Sequence, residues 1–186
     1  MSEGLFNNLQ HPSSPKMFTY VSISAIQACV LNAEWHSRFP EIHWSNVVRN
    51  RHYACFVAYY ENEPYAVAIW STPIAANRLK NGQQILELRR LAIRDEAPKN
   101  TASHMISWMV KQIKKTFEDV FKLISYQDTE SHHGTIYKAA NWSAVSISPE
   151  NLSWTGSRKR NKEQSLARKI RWELHLRHEP INEIAS

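Results

Sequence analysis

Glycine is scarce, four in 186 residues, so the backbone has few places to take positive φ or to approach a ligand without a Cβ in the way. Cysteine is nearly absent. Cys29 and Cys55 both sit in apolar surroundings and read as two free buried thiols, which fits a reducing, cytoplasmic compartment and not a disulfide framework. No apolar run approaches the ~18–20 residues that would span a bilayer, so no membrane partner is expected. The first residues, MSEGLFNNLQHPSSPK, lack a basic segment followed by an apolar one, so they do not read as a signal peptide. They read as a flexible arm over residues 1–16. What is present, 42% hydrophobic and 22% charged residues, fits one soluble domain over residues 17–178, followed by a tail over 179–186. No internal repeat or low-complexity tract occurs.

The net charge of +6 is concentrated in one place. Residues 158–177 hold eight basic residues against two acidic ones, and the rest of the chain is neutral. A local basic stripe suits a polyanion, because each phosphate it neutralises releases counterions. The same stripe also fits a solvated hairpin or helix face. Its nucleic-acid candidates are Arg158, Lys159, Arg160, Lys162, Arg168, Lys169 and Arg171.

The apolar pattern gives the element order. MFTYVSI at residues 17–23 is a strand, and Ser24 caps a helix that ends near Phe39-Pro40. Ala25, Ile26, Cys29, Val30, Ala33 and Trp35 carry the helical repeat of that segment. EIHWSNVVRNRH is a short helix or ordered loop. YACFVAYY and YAVAIW, joined by ENEP, form an antiparallel hairpin. ILELRRLAI at 85–93 is a central strand. A helix from Thr101 or Ser103 carries a continuous stripe through Met105, Ile106, Met109, Val110, Ile113 and Phe117. A strand at 120–126, a short helix at 135–140, a strand at 144–147 with Trp154 in its partner, and a late strand IRWELHL complete the chain. The class is α/β (α+β), one domain with a mixed, mostly antiparallel sheet flanked by helices.

This order, with a strand–loop–helix hinge at residues 85–117, resembles the GNAT acyltransferase fold. HGTIYKAANW at 133–142 is similar to that family's short helix bearing a tyrosine. Four motifs in register resemble a narrower branch, the phage Mom-related DNA modification proteins. They are W-H-x-x-x-P from Trp35 to Pro40, E-L-x-R-L from Glu87 to Leu91, S-Y-x-D from Ser125 to Asp128, and G-T-x-Y-x-A-x-N-W from Gly134 to Trp142.

The resemblance implies a function: transfer of a small acyl- or carbamoyl-type group to the exocyclic amine of adenine in phage DNA, protecting it from host restriction in the host cytoplasm. The implied partners are DNA and acyl-CoA, such as acetyl-CoA. The donor would lie along Leu91 and Ile93 and at a helix start bearing Asn100, Ser103 and His104. One departure stands out. The family's phosphate loop is rich in glycine, and RDEAPKNTASH has none. That leaves open two alternatives: an acetyltransferase for a protein or small-molecule amine, and a non-catalytic phage protein that binds a host partner.

His36, Glu87, Arg90, Asp128 and Tyr137 are the catalytic candidates. Three charges in a central strand are costly unless they are paired or face a substrate. Period-two alternation puts Glu87 and Arg89 on one face and Leu86, Leu88 and Arg90 on the other. Glu87 or Asp128 would serve as base, Arg90 would steady the carbonyl oxygen, and Tyr137 would protonate a thiolate leaving group. Asp128 closing a strand also reads as a turn residue. His36, Asp128 and Tyr137 together suit iron. Adjacent His132 and His133 make a poor chelate. Trp44, Trp154 and Trp172, in polar or basic contexts, are candidates to stack on a base.

Overall fold

The computed structural model describes residues 11–35, 41–73, 84–130, 133–148 and 167–178. Within them the chain runs β1 (Thr19–Ser22), α1 (Ala25–Trp35), α2 (Ser45–Val48), β2 (Tyr53–Tyr60), β3 (Glu63–Ser71), β4 (Ile85–Ile93), α3 (Thr101–Thr116), β5 (Lys122–Asp128), α4 (Thr135–Ala139), β6 (Ser143–Ile147) and β7 (Lys169–His175). The seven strands form one sheet in the order β1-β2-β3-β4-β5-β7-β6. Only β4 and β5 are parallel, and every other pairing is antiparallel.

Local chemistry explains the elements. Ser24 and Gln27 form a reciprocal capping box at the start of α1: the Gln27 amide donates to Ser24 Oγ and the Ser24 amide to Gln27 Oε1, both at 3.2 Å. The β2–β3 hairpin turns on Glu61 and Asn62, both at positive φ, the geometry that a two-residue hairpin loop requires. Arg177 closes the end of α3. Its guanidinium donates to the carbonyls of Phe117 and Val120, each at 2.8 Å, and to that of Lys114.

The sheet is covered on both faces. Met105, Ile106, Met109 and Ile113 of α3 bury the expected stripe against Ala66, Ala68, Trp70, Leu86 and Leu88, and α4 joins them there. The opposite face holds α1 over Cys55, Val67, Ile69 and Ala92. The expected inward stripe of α1 is corrected. Ala25, Ala28 and Asn32 face the sheet, while Ile26 and Val30 are 53% and 62% exposed. Small side chains let the helix sit close to the strands.

The expected arm is described from His11 onward, and this part is packed. His11 Nδ1 pairs with the Tyr65 hydroxyl at 3.0 Å, and Ser14 caps a short helical turn at Pro15–Met17. Cys29 and Cys55 are free, as read from the sequence, and burial pushes the Cys55 thiol up to about 12. No helix among the described residues is long and apolar enough to cross a membrane.

Candidate active site at a forked strand pair

The parallel ladder between β4 and β5 runs from Ile85↔Lys122 to Leu88↔Ser125 and has no later pair, although both strands continue. Two features part them. Past Ser125, β5 remains zipped to β7 through Tyr126↔Arg171, Gln127↔Ile170 and Asp128↔Lys169. Meanwhile β4 follows β3 with a bulge, because Trp70 pairs with Leu88 and Ile69 with Arg90, leaving Arg89 as the extra residue. The strands diverge like a fork that opens toward their carboxyl ends, the edge where α/β sheets place ligands.

The bulge corrects the simple alternation expected for this strand. Arg90 lies across from Ile69, on the α1 face, and not beside Leu86 and Leu88 on the α3 face. Arg89 also reaches the α1 face, where its Nη1 donates to Ser71 Oγ at 3.3 Å. Glu87, Arg89 and Arg90 therefore share one side. Burial lowers the proton affinity of Arg90 to about 10, with Arg89 adding to the effect and Glu87 opposing it. Nη1 of Arg90 donates to the Arg89 carbonyl at 2.7 Å.

On the α3 face, Tyr137 reaches the point of the fork. Its hydroxyl lies 2.8 Å from Ser125 Oγ, and Ser125 Oγ lies 3.3 Å from the Leu88 carbonyl, at the last paired rung. With Ser125 donating to Leu88, Tyr137 donates to Ser125. The ring is clamped, stacked on Trp172 at 5.3 Å and tilted against Trp142 at 5.7 Å. Tyr137 is 7% exposed. Burial raises its phenol above the usual value, outweighing the Ser125 hydrogen bond, so the hydroxyl keeps its proton at neutral pH. Gly134 makes this approach possible. It sits at φ +69°, and a Cβ there would strike Gln127 Oε1 and the Trp172 ring. Those two groups are already joined by a 2.8 Å bond from Trp172 Nε1 to Gln127 Oε1.

The start of α3 lies at the same end of the sheet. Asn100 precedes it at φ +68° and takes the left-handed conformation that glycine would supply; asparagine is among the side chains that tolerate it best. Ser103 Oγ donates to the Asn100 carbonyl, and His104 Nδ1 pairs with the Tyr20 hydroxyl at 2.8 Å. Tyr20 stacks on Trp108, and burial raises its phenol to about 12. Leu91 and Ile93 pack toward α3. At the start of α3 the Thr101 amide donates to the Pro98 carbonyl at 3.3 Å and the His104 amide to that of Asn100 at 3.0 Å, while the Ala102 and Ser103 amides have no carbonyl one helical turn back within the helix and suit an anion.

Other expected site residues are dispersed. Asp128 Oδ1 accepts from the Glu130 amide at 3.0 Å, a turn-forming role. Strand alternation sends Asp128 to the face opposite Ser125 and Tyr137. His36 lies outside the described residues, as do Arg158, Lys159, Arg160, Lys162, His132 and Trp154. No group of three His, Cys, Asp or Glu side chains able to hold a metal ion forms among the described residues.

The basic stripe is partly interior. Arg171 Nε lies 2.8 Å from buried Glu173, which Lys122 also approaches at 3.3 Å, and β7 is flanked by strands on both sides. Trp172 is 3% exposed and cannot stack on a base, whereas Trp44 is exposed. Arg168 and Lys169 stand at the start of β7, beside the end of β5. Sequence reasoning missed Ser125 as a site residue. A small hydroxyl in the buried strand KLISYQD was the available signal.

Solved structures that match this architecture include acetyltransferases. The ribosomal-protein-S18-alanine N-acetyltransferase from Escherichia coli matches with a TM-score of 0.60 at 12% identity, covering 91% of this chain and 100% of that one. An acetyltransferase of the GNAT family from Streptococcus pneumoniae matches at 0.61 and 7% identity, covering 85% and 98%. The spermidine N-acetyltransferase from Vibrio cholerae, solved with CoA and spermine, matches at 0.61 and 9% identity, covering 87% and 96%. The fold is therefore that of the GNAT acetyltransferases. The model of the Mom protein family matches residues 34–183, and the chain belongs to that family. Among curated proteins no relative matches by sequence.

Proposed function

We propose that this protein transfers a small acyl- or carbamoyl-type group to the exocyclic amine of adenine in phage DNA, shielding the DNA from host restriction. One observation carries the reading: a member of the Mom family sets a buried, protonated tyrosine hydroxyl at the fork of an acetyltransferase sheet. The donor would be an acyl-CoA. Three matched acetyltransferase structures contain CoA or acetyl-CoA, and here the first turn of α3 would offer amides to a pyrophosphate. Asn100, Ser103 and His104 would border the phosphates, with the backbone of Leu91 and Ile93 along the donor chain.

The exocyclic amine is a poor nucleophile because its lone pair is delocalised into the ring. Attack on the donor carbonyl needs a base to take the amine proton and a cation near the carbonyl oxygen. Glu87 and Arg90 stand together for these roles. Glu87 suits the base role better than Asp128, whose Oδ1 is engaged by Glu130. As the carbon–sulfur bond breaks, the thiolate takes the Tyr137 proton. The target amine is paired in duplex DNA, so the base must be turned out of the stack. Arg168 and Lys169, with Arg158, Lys159, Arg160 and Lys162, would hold the phosphate backbone.

Mass spectrometry of nucleosides from DNA of cells expressing the protein tests this directly. A modified deoxyadenosine is expected, and an unmodified profile refutes the proposal. Titration with DNA over a range of salt is the second test. Steep weakening with salt is expected of a DNA enzyme, and none is expected of a small-molecule acetyltransferase.

A further inference from the structure

Two hydroxyls and a carbonyl stand in a row at the point of the fork. The Tyr137 hydroxyl lies 2.8 Å from Ser125 Oγ, and Ser125 Oγ lies 3.3 Å from the Leu88 carbonyl. A carbonyl only accepts, and each hydroxyl carries one proton, so the row has two possible orders. In the first, Ser125 donates to Leu88 and Tyr137 donates to Ser125. In the second, Ser125 turns its proton to the Tyr137 oxygen, and the Tyr137 proton is free for another acceptor. Rotation of hydroxyl hydrogens alone converts one into the other. The heavy atoms are held: both residues are buried, and the Tyr137 ring is clamped by Trp172 and Trp142.

The two bonds are unequal. The turn gives up the 3.3 Å contact to Leu88 and keeps the 2.8 Å contact between the hydroxyls, so it sacrifices the weaker bond. It also answers a difficulty in the acid role of Tyr137. An ordinary phenol, near ~10, holds its proton more tightly than an ordinary thiol, near ~8.5. Burial raises the Tyr137 phenol further, and the Ser125 hydrogen bond opposes that rise. Charged neighbours give no help. Lys138 on α4 is exposed, and the alternation of β7 sends Arg171 and Glu173 to the face opposite Trp172. A donor 2.8 Å away that can follow the proton's departure stabilises the phenolate instead.

We propose that Ser125 is the positioning residue for the Tyr137 proton, accepting from the phenol at rest and turning to donate to the phenolate as that proton leaves. The inference deepens the acyl-transfer reading and rests on it for where the proton goes. The Tyr137 O–H bond breaks as an S–H bond forms on the departing thiolate, while the Ser125 proton stays on Oγ. The phenolate then regains a proton from solvent, to which the general base releases the one it took from the amine.

The test is a fluorine NMR titration of the full chain with Tyr137 replaced by 3,5-difluorotyrosine, a phenol acidic enough to titrate while the protein stays folded. Removing the donor by Ser125→Ala should move the titration upward by about one pH unit or more, the worth of a hydrogen bond to a charged oxygen. Ser125→Cys offers only a weak S–H donor and should move it the same way, which keeps the test decisive if Ser125→Ala does not fold. An unchanged titration in a folded variant overturns the proposal. Nucleoside mass spectrometry on cells expressing Ser125→Ala, Tyr137→Phe and the double variant supplies the second arm. Ser125→Ala should lower modification about tenfold or more beside Tyr137 and add no loss to Tyr137→Phe. Equal losses in both backgrounds would mean that Ser125 only supports the fold, and would overturn the proposal too. A shifted titration with unmodified DNA from the wild type would leave the hydroxyl pair standing and remove the DNA-modification reading.

Discussion

Replacing Tyr137 by phenylalanine separates chemistry from architecture at the fork. The ring keeps its stack on Trp172 and its contact with Trp142, and Ser125 keeps its bond to the Leu88 carbonyl. What is lost is one buried hydrogen bond, worth about 1 kcal/mol, a shift in Tm of roughly 2–4 °C for a chain of this size. If the hydroxyl protonates the leaving group, modification should fall by about 10²–10⁴-fold, far beyond what that loss of stability explains. The readout is modified deoxyadenosine per unit of folded protein, by nucleoside mass spectrometry, with circular dichroism melts alongside. A pH series adds a second signature. Burial holds the Tyr137 phenol above its ordinary value, so its contribution to stability is fully present below pH ~10 and is lost as pH rises through the folded value. The wild type should therefore lose its advantage over Tyr137→Phe in alkaline solution. Tyr20 is shifted the same way in both proteins and cancels. Full modification by a folded Tyr137→Phe protein would refute the acid role.

Gly134→Ala should destabilise by more than about 2 kcal/mol, since it adds strain at positive φ of order 1–3 kcal/mol to a collision with Gln127 and Trp172; urea denaturation measures it, and a neutral result would show that α4 can move away from the sheet. Arg177→Met should cost roughly 1–3 kcal/mol by removing the guanidinium that the Lys114, Phe117 and Val120 carbonyls share. Hydrogen exchange should locate that loss in the last turn of α3, and unchanged protection there would contradict the capping role.

Most of the fold was legible because its signals are periodic. The α3 stripe, the hairpin around ENEP and the order of strands follow from apolar spacing, which tertiary contacts here reinforce. The discrepancies sit where one residue changes the phase. A bulge at Arg89 carries Arg90 to the α1 face, and nothing in ILELRRLAI marks which residue is the extra one, because the bulge is set by pairing with β3. In α1 the expected stripe included Ile26, Val30 and Ala33, yet Ala25, Ala28 and Asn32 face inward and Ala33 is exposed. Spacing identifies a helix, but the distance between helix and sheet decides which face is buried, and a close approach favours alanine. The late strand IRWELHL was legible, but the basic run gave no sign that it lies between β5 and β6. Arg171 is tolerated there by Glu173, its neighbour on the same face, and Trp172 fills the core on the other. At the candidate site, Tyr137 stood out through its motif. Its partner Ser125 is defined by a rung between distant strands, a relation that local sequence does not contain.

The glycine-free loop before α3 was the strongest objection in the sequence to phosphate binding, and Asn100 answers it in physical terms. What an anion needs from such a loop is a turn that aims the free amides of the helix outward, and one residue at positive φ supplies it. Asn100 does so at +68°, with the Thr101 hydroxyl donating to the Pro98 carbonyl at 2.7 Å to hold the turn. Asn100→Gly should then keep both the fold and acyl-CoA binding, because glycine adopts this conformation freely. Asn100→Val should lose of order 1–3 kcal/mol to strain, or relax the turn and weaken acyl-CoA. Isothermal titration with acetyl-CoA and thermal melts of the two variants distinguish these effects. If Asn100→Val binds and melts like the wild type, the left-handed turn is not what prepares the helix start, and the donor must be held elsewhere along the fork.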